Sequence, residues 1–167
     1  QFGPENAEDH RWRGLSYAGL DQYQVAMQSF NKSIELDSSD AKTWVYRGDA
    51  YHELKEYDLA ISDFEVAISL DPEDARAYFG RGYAYHWKSI GGSSYYDERD
   101  IATNEQAVTD LTKAIELDPE YANAYWIRSG AYDWLMEKTG KMEYYRAMVA
   151  DRKAACALEP SWWAGSC

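Results

Sequence analysis

Small and aromatic residues return along this chain at a fixed spacing, and the spacing predicts most of its elements. Between Ala41 and Asp74, Trp44, Gly48 and Tyr51 lie four and three residues apart, on one stripe of a helix. Ala60, Phe64, Ala67 and Ile68 form a second helical stripe. Phe64 supplies bulk there, while Gly48, Ala60 and Ala67 let two backbones approach. Glycine inside a helix costs roughly 1 kcal/mol relative to alanine, so its recurrence needs a packing reason, and close helix contact supplies one. Asp40 and Asp74 stand just ahead of the predicted first helices of two successive modules, where a short carboxylate accepts from unpaired backbone amides. Pro72 fits the connector, since it would break a helix interior.

The same pattern runs before and after this stretch. Gly14, Tyr17, Ala26 and Phe30 precede Gly48, Tyr51, Ala60 and Phe64 by 34 residues, with His10 in the tryptophan position and Ser38 in the proline position. A third copy has Tyr78, Gly82 and Tyr85, then Ala107, Leu111, Ala114 and Pro119, and its glycine-to-alanine interval grows from 12 to 25 residues. A fourth has Tyr125, Ser129, Tyr132, Met148, Ala155 and Pro160, with an interval of 19. The expected modules span residues 7–40, 41–74, 75–121 with an insertion near 90–104, and 122–161 with a shorter insertion. Residues 1–6 read as a tail, 162–167 as a truncated cap or tail, and 1–167 as a single domain. Gly91, Gly92, Ser93 and Ser94 are loop chemistry, while Asp100 to Ala107 would extend a helix backwards. The seven extra residues of the fourth copy would add a turn to each of its helices.

The order Trp, Gly, Tyr, Ala, Phe, Ala, Pro over 34 residues resembles the tetratricopeptide repeat family. The resemblance covers nearly the whole chain. It implies an all-α fold, a right-handed α-α superhelix of about four helix pairs, with atypical end copies. It also implies a noncatalytic scaffold or adaptor for protein-protein interaction, whose first helices line a concave groove.

On that face the first helices place Arg11 and Trp12, then Val45, Tyr46, Asp49 and His52. The third module adds Arg76, Phe79, Tyr83, His86 and Trp87, and the fourth Trp126, Ile127, Asp133 and Trp134. Four of the seven tryptophans fall here although the packing stripe has its own aromatics. Contiguous exposed apolar surface marks interaction sites, and aromatic anchors dominate binding energy. The partner expected is a protein segment or peptide with apolar or aromatic side chains, and Asp49, Glu53 and Asp133 suit basic ones. The competing reading folds these rings under the insertions as core. A different functional class, self-association, would use the fourth repeat with Trp162 or Trp163. Some family members clamp the terminal carboxylate of heat-shock chaperones, and Arg11 and Arg76 match basic positions of that clamp. Leu15, Tyr46 and Gly80 stand where its asparagines and arginine belong, which disfavours such a ligand.

Arg13, Arg47, Arg81 and Arg128 each directly precede the glycine position, and Asp63, Asp110 and Asp151 recur on the second helices. An arginine beside a packing stripe must stay hydrated or paired, so a structural Arg to Asp ladder is expected. His52, His86 and Asp133 would bind zinc only by converging, whereas packed helix axes stay roughly 8–10 Å apart. No metal and no cofactor is expected, and no phosphate loop or nucleophile elbow occurs.

A net charge of -12 opposes nucleic-acid binding. No apolar run is long enough to span a bilayer, and the compartment stays open with the cytoplasm favoured. Of the two cysteines, Cys156 on the packing stripe reads as a buried structural thiol. The two insertions are expected side by side, bringing Tyr95, Tyr96, Tyr144 and Tyr145 into one aromatic lobe.

Overall fold

Each predicted stripe becomes a helix in the computed structural model, which describes residues 5–91 and 98–163. Gly92 to Asp97 and Cys167 lie outside the described residues, and so do the side chains of Trp162 and Trp163. The chain divides into two compact units, Gln1–Glu73 and Asp74–Cys167. Among the described residues each holds two helix pairs.

In the first unit, α1 (Ala7–Ala18) pairs with α2 (Tyr23–Leu36) and α3 (Ala41–Glu53) with α4 (Tyr57–Leu70). Asn6 opens α1 through a capping box with Asp9, each side chain accepting the other's backbone N–H at 3.0 Å. Asp40 caps α3 by accepting from the Lys42 N–H at 3.3 Å. The turns inside each pair are tight enough to force Asp21 (φ 58°) and Lys55 (φ 63°) into the left-handed region, one repeat apart. Between pairs, Asp37 and Asp71 accept from the backbone N–H two residues on, closing the connector ahead of the next helix.

The second unit has longer helices. It contains α5 (Ala75–Ile90), α6 (Glu98–Leu117), α7 (Ala122–Thr139) and α8 (Met142–Leu158), then a 3-10 turn over Pro160–Trp163. Asp74 caps α5, accepting from the Arg76 N–H at 2.9 Å. Much of the inserted sequence is helical: α6 starts at Glu98 and runs 20 residues, against 14 in α4. The extra residues of the fourth copy lengthen α7 and α8 to 18 and 17 residues, and Gly140 (φ 67°) turns the chain between them. Tyr144 on α8 stacks on Tyr132 of α7 at 6.0 Å and donates its hydroxyl to Glu105 on the lengthened α6 at 3.1 Å. Tyr145 stays exposed, and Tyr95 and Tyr96 lie outside the described residues.

The recurring small residue is where the two helices of a pair meet. A Cβ on Gly14 would collide with the Phe30 ring, and one on Gly48 would sit 2.9 Å from Cε1 of Phe64. On Gly82 it would lie 2.9 Å from Leu111 Cγ and 3.1 Å from the Ala107 carbonyl. The fourth pair admits Ser129 at this position, fully buried, with its hydroxyl donating to the Trp126 carbonyl at 2.7 Å.

Next to each of these contacts except the first lies an ion pair. Arg47 donates Nε and Nη2 to the two carboxylate oxygens of Asp63, both at 2.7 Å. Arg81 makes the same fork with Asp110 at 2.7 and 2.8 Å, and Arg128 with Asp151 at 2.7 Å twice. Two of the guanidinium groups are flanked by the aromatic landmarks of their own helix: Arg47 lies 4.7 Å from the Trp44 ring and 5.8 Å from Tyr51, and Arg128 5.7 Å from Tyr125 and 6.0 Å from Tyr132, while Arg81 lies 5.9 Å from Tyr78. Arg47 Nη1 also donates to Asn31 on α2 at 2.8 Å, and Arg128 Nη1 to Thr112 on α6 at 2.9 Å. These forks therefore tie a pair to the one before it. Arg13 departs from the pattern and pairs with Glu5, because the facing position on α2 is Ser29.

Cys156 corrects the expectation of a buried free thiol. It is half-buried and disulfide-bonded.

Burial raises the Asp63 carboxyl against the pull of Arg47, while the ion pair outweighs burial at Arg47 and holds it charged. Desolvation of the carboxylate decides the net contribution, so the fork orients more than it stabilises. Asp63→Ala, which strands Arg47, should therefore lower the urea-unfolding free energy by about 3 kcal/mol, and Arg47→Met with Asp63→Leu should recover most of it. A double variant as unstable as the single one would show that the pair itself supplies the stability.

Candidate functional site

In the first unit the face read from the sequence splits into surface and core. Trp12 is 58% exposed, its Nε1 donating to Glu8 at 3.2 Å and the Arg11 guanidinium lying 5.8 Å from its ring. Arg11 itself is committed to an ion pair with the α3 cap Asp40, whose carboxylate also accepts from Thr43 Oγ1 at 2.7 Å. Val45 is buried. Tyr46 is half-buried, stacked on Phe30 at 6.3 Å and packed against the cluster of Ala26, Phe30 and Ala50. Asp49 is partly exposed. His52 rests its ring 5.4 Å from Tyr57 with Nδ1 3.7 Å from Glu53; burial holds its pKa below the usual value, against the pull of Glu53.

In the second unit α5 carries a run of rings one turn apart. Phe79 stacks on Tyr83 at 5.7 Å, Tyr83 meets the edge of Trp87 at 6.1 Å, and Tyr121 closes on Phe79 at 4.8 Å. Trp87, at the end of the run, is 40% exposed, and Arg76 near its start is exposed too. Helix α7, which touches α5, contributes the half-buried Trp126 and Trp134, with Lys138 Nζ 5.4 Å from the Trp134 ring. Ile127 packs against the core of Ala107, Leu111, Ala114 and Ala124, and Asp133 is engaged by Arg152 Nη2 at 3.0 Å.

His86 is buried and belongs to a polar network that the sequence reading missed. Its Nδ1 lies 2.9 Å from Asn104 Oδ1, and Asn104 Nδ2 donates to the Ala131 carbonyl at 3.2 Å. Since the amide must donate toward Ala131, its oxygen faces the histidine and Nδ1 carries the proton. Three helices, α5, α6 and α7, are joined through one fully buried asparagine. The signal was in the chain: Asn104, Ala107, Leu111 and Ala114 continue one helical stripe a turn backwards into the insertion. His86 is thus core, and His52 belongs to the other unit. Among the described residues no group of three or more His, Cys, Asp or Glu side chains is arranged to hold a metal ion.

These faces belong to a recognised architecture. Residues 48–88 match a family model described as TPR repeat, and residues 12–40 one described as tetratricopeptide repeat. The chain carries tetratricopeptide repeats. Among the described residues the fold is all-α, with four helix pairs, and such repeats are scaffolds for protein-protein interaction. The solved MamA RS-1 ArsTM double mutant superposes with a TM-score of 0.71 at 22% identity, covering 96% of this chain and 79% of that one. The first TPR of Spaghetti (RPAP3), bound to the HSP90 peptide SRMEEVD, gives 0.66 at 23% identity over 78% of this chain and 93% of that one. A thermophilic TPR protein of Thermus thermophilus gives 0.68 at 15% identity, with coverages of 96% and 91%. No curated protein matches the chain. Among the described residues no helix is long and apolar enough to cross a membrane.

The buried imidazole makes stability depend on pH. Burial lowers the His86 pKa below its ordinary 6.5, only partly offset by Asn104, so below about pH 6.5 the unfolded chain binds the extra proton first. Stability from this site is complete above pH 6.5 and falls on acidification. His86→Gln, which keeps a hydrogen-bonding side chain and removes the titration, should flatten the decline in melting temperature between pH 7 and pH 5. A parallel decline in parent and variant would contradict this assignment.

Proposed function

We propose that this tetratricopeptide repeat protein is a noncatalytic adaptor whose first helices hold an extended or helical segment of a partner through aromatic side chains. The observation that carries the reading is the run Phe79, Tyr83, Trp87 along α5, stacked in sequence and ending in an exposed indole. Trp126 and Trp134 on the adjoining α7 extend the same kind of surface. Large, stiff rings give contact area at little entropic cost, which is why they dominate interface energetics. In the first unit Trp12 on α1 offers a second exposed anchor, and Tyr46 and Asp49 on α3 are partly accessible.

Charge narrows the partner. RPAP3 takes the acidic peptide SRMEEVD, whereas this chain carries a net -12, and its Arg11 is already neutralised by Asp40. Neutral or basic segments rich in apolar side chains fit better than acidic tails.

Pull-down with Trp87→Ala and Trp126→Ala should recover bound partners at about a tenth of the parent level or less, the loss of roughly 1.4 kcal/mol expected when one aromatic anchor is truncated. Lys32→Ala, which removes only an exposed pair with Glu35, should leave recovery unchanged. Equal recovery from all three variants would sink the groove reading.

A further inference from the structure

We propose that the turn edge of the first unit is a second docking surface, built for a basic amphipathic segment of another protein. Leu20, in the turn between α1 and α2, is 66% exposed; Val25 and Leu59, in the first turns of α2 and α4, are 39% and 47% exposed. Val25 and Leu59 are equivalent positions one repeat apart, so the apolar side chains return along the edge with the period of the array. The two turns face the same end of the unit. The Tyr23 hydroxyl, which donates to Asp21 at 2.9 Å, also feels the carboxylate of Glu53 at the far end of α3.

Around these leucines and valine the charge is one-sided. Residues 20–25 and 53–59 contain the carboxylates Asp21, Glu53, Glu56 and Asp58 and a single amine, Lys55. The surrounding unit is acidic as well: residues 1–73 hold 15 acidic against 6 basic side chains, nine of the twelve net negative charges of the chain. The arginines of the unit are spent elsewhere, Arg11 on Asp40, Arg13 on Glu5 and Arg47 on Asp63. An apolar strip inside a negative field attracts a segment presenting leucine-like side chains on one side and lysine or arginine on the other. A second copy of this chain would bring the same negative unit against it, and nucleic acid or an anionic lipid surface would be repelled likewise. This edge is distinct from the α5 and α7 face, so either surface can fail without the other.

The test uses a short synthetic helix with leucine on one side and lysine on the other, and the same peptide with glutamate in place of lysine. Titrated into the isotope-labelled full chain, the lysine peptide should shift amide resonances of residues 20–25 and 53–59, and the glutamate peptide should not bind. Leu20→Ser with Leu59→Ser should weaken the lysine peptide by about tenfold or more, since both exposed side chains lose apolar contact. Glu53→Gln with Glu56→Gln should weaken it and reduce its salt dependence, while Trp87→Ala should leave it unchanged. Shifts centred elsewhere, binding indifferent to the leucine changes, or equal binding of the glutamate peptide would each overturn the proposal.

Discussion

The whole arrangement depends on how closely two helices of a pair can approach at one point. A residue without a side chain on the first helix admits the bulkiest residue of the second, Phe30 over Gly14 and Phe64 over Gly48, at distances where a methyl group would not fit. Those rings are fully buried, and the alanines around them, Ala26, Ala60 and Ala67, are buried with them. The loss of helix propensity at each glycine, roughly 1 kcal/mol, is offset by burying an aromatic ring, which contributes about 1.5–3 kcal/mol. The constraint holds with an aliphatic partner as well, since Leu111 still demands Gly82, and the fourth pair carries a buried Ser129 at this position.

Once the pair is nested at that point, the neighbouring arginine has little freedom. It forks onto the aspartate of the second helix and, at Arg47 and Arg128, lies between two aromatic rings of its own helix and extends its remaining nitrogen to the previous pair, where Asn31 or Thr112 accepts. The ring landmarks that mark the family pattern are therefore divided in role. Phe64 fills the gap between helices, whereas Trp44 and Tyr51 shield a charge. This division leaves the opposite face of each first helix to carry other aromatics, and Trp12, Phe79, Tyr83 and Trp87 are the result.

Much of this was legible in the amino-acid sequence because stripe spacing and cap residues are local properties. Gly48 with Phe64, the caps Asp40 and Asp74, and the aspartates opposite Arg47, Arg81 and Arg128 all follow from period and residue type. The backward extension of α6 followed too, though not its consequence. Asn104 was counted as insertion, and its bond to His86 depends on the packing of three helices that no single period describes. Val45 and Ile127 lay on the face read as groove, yet Val45 is buried and Ile127 packs against Ala107, Leu111 and Ala114 of the preceding helix, since a face assigned from one helix cannot show what a neighbour buries. Arg11 and Asp133 were assigned to ligands, but acid and base partners from other elements claim them. Cys156 depended on an oxidation state that residue type alone does not settle.

The close approach at the glycine is tested most directly by a double-mutant cycle on Gly48 and Phe64, read by urea unfolding. On helix propensity alone Gly48→Ala would stabilise the protein by roughly 1 kcal/mol. The account predicts the opposite sign, a loss of about 1–3 kcal/mol from overpacking against the ring, and a smaller loss for Gly48→Ala when Phe64→Ala is already present. A stabilising Gly48→Ala, or two substitutions that simply add, would contradict it.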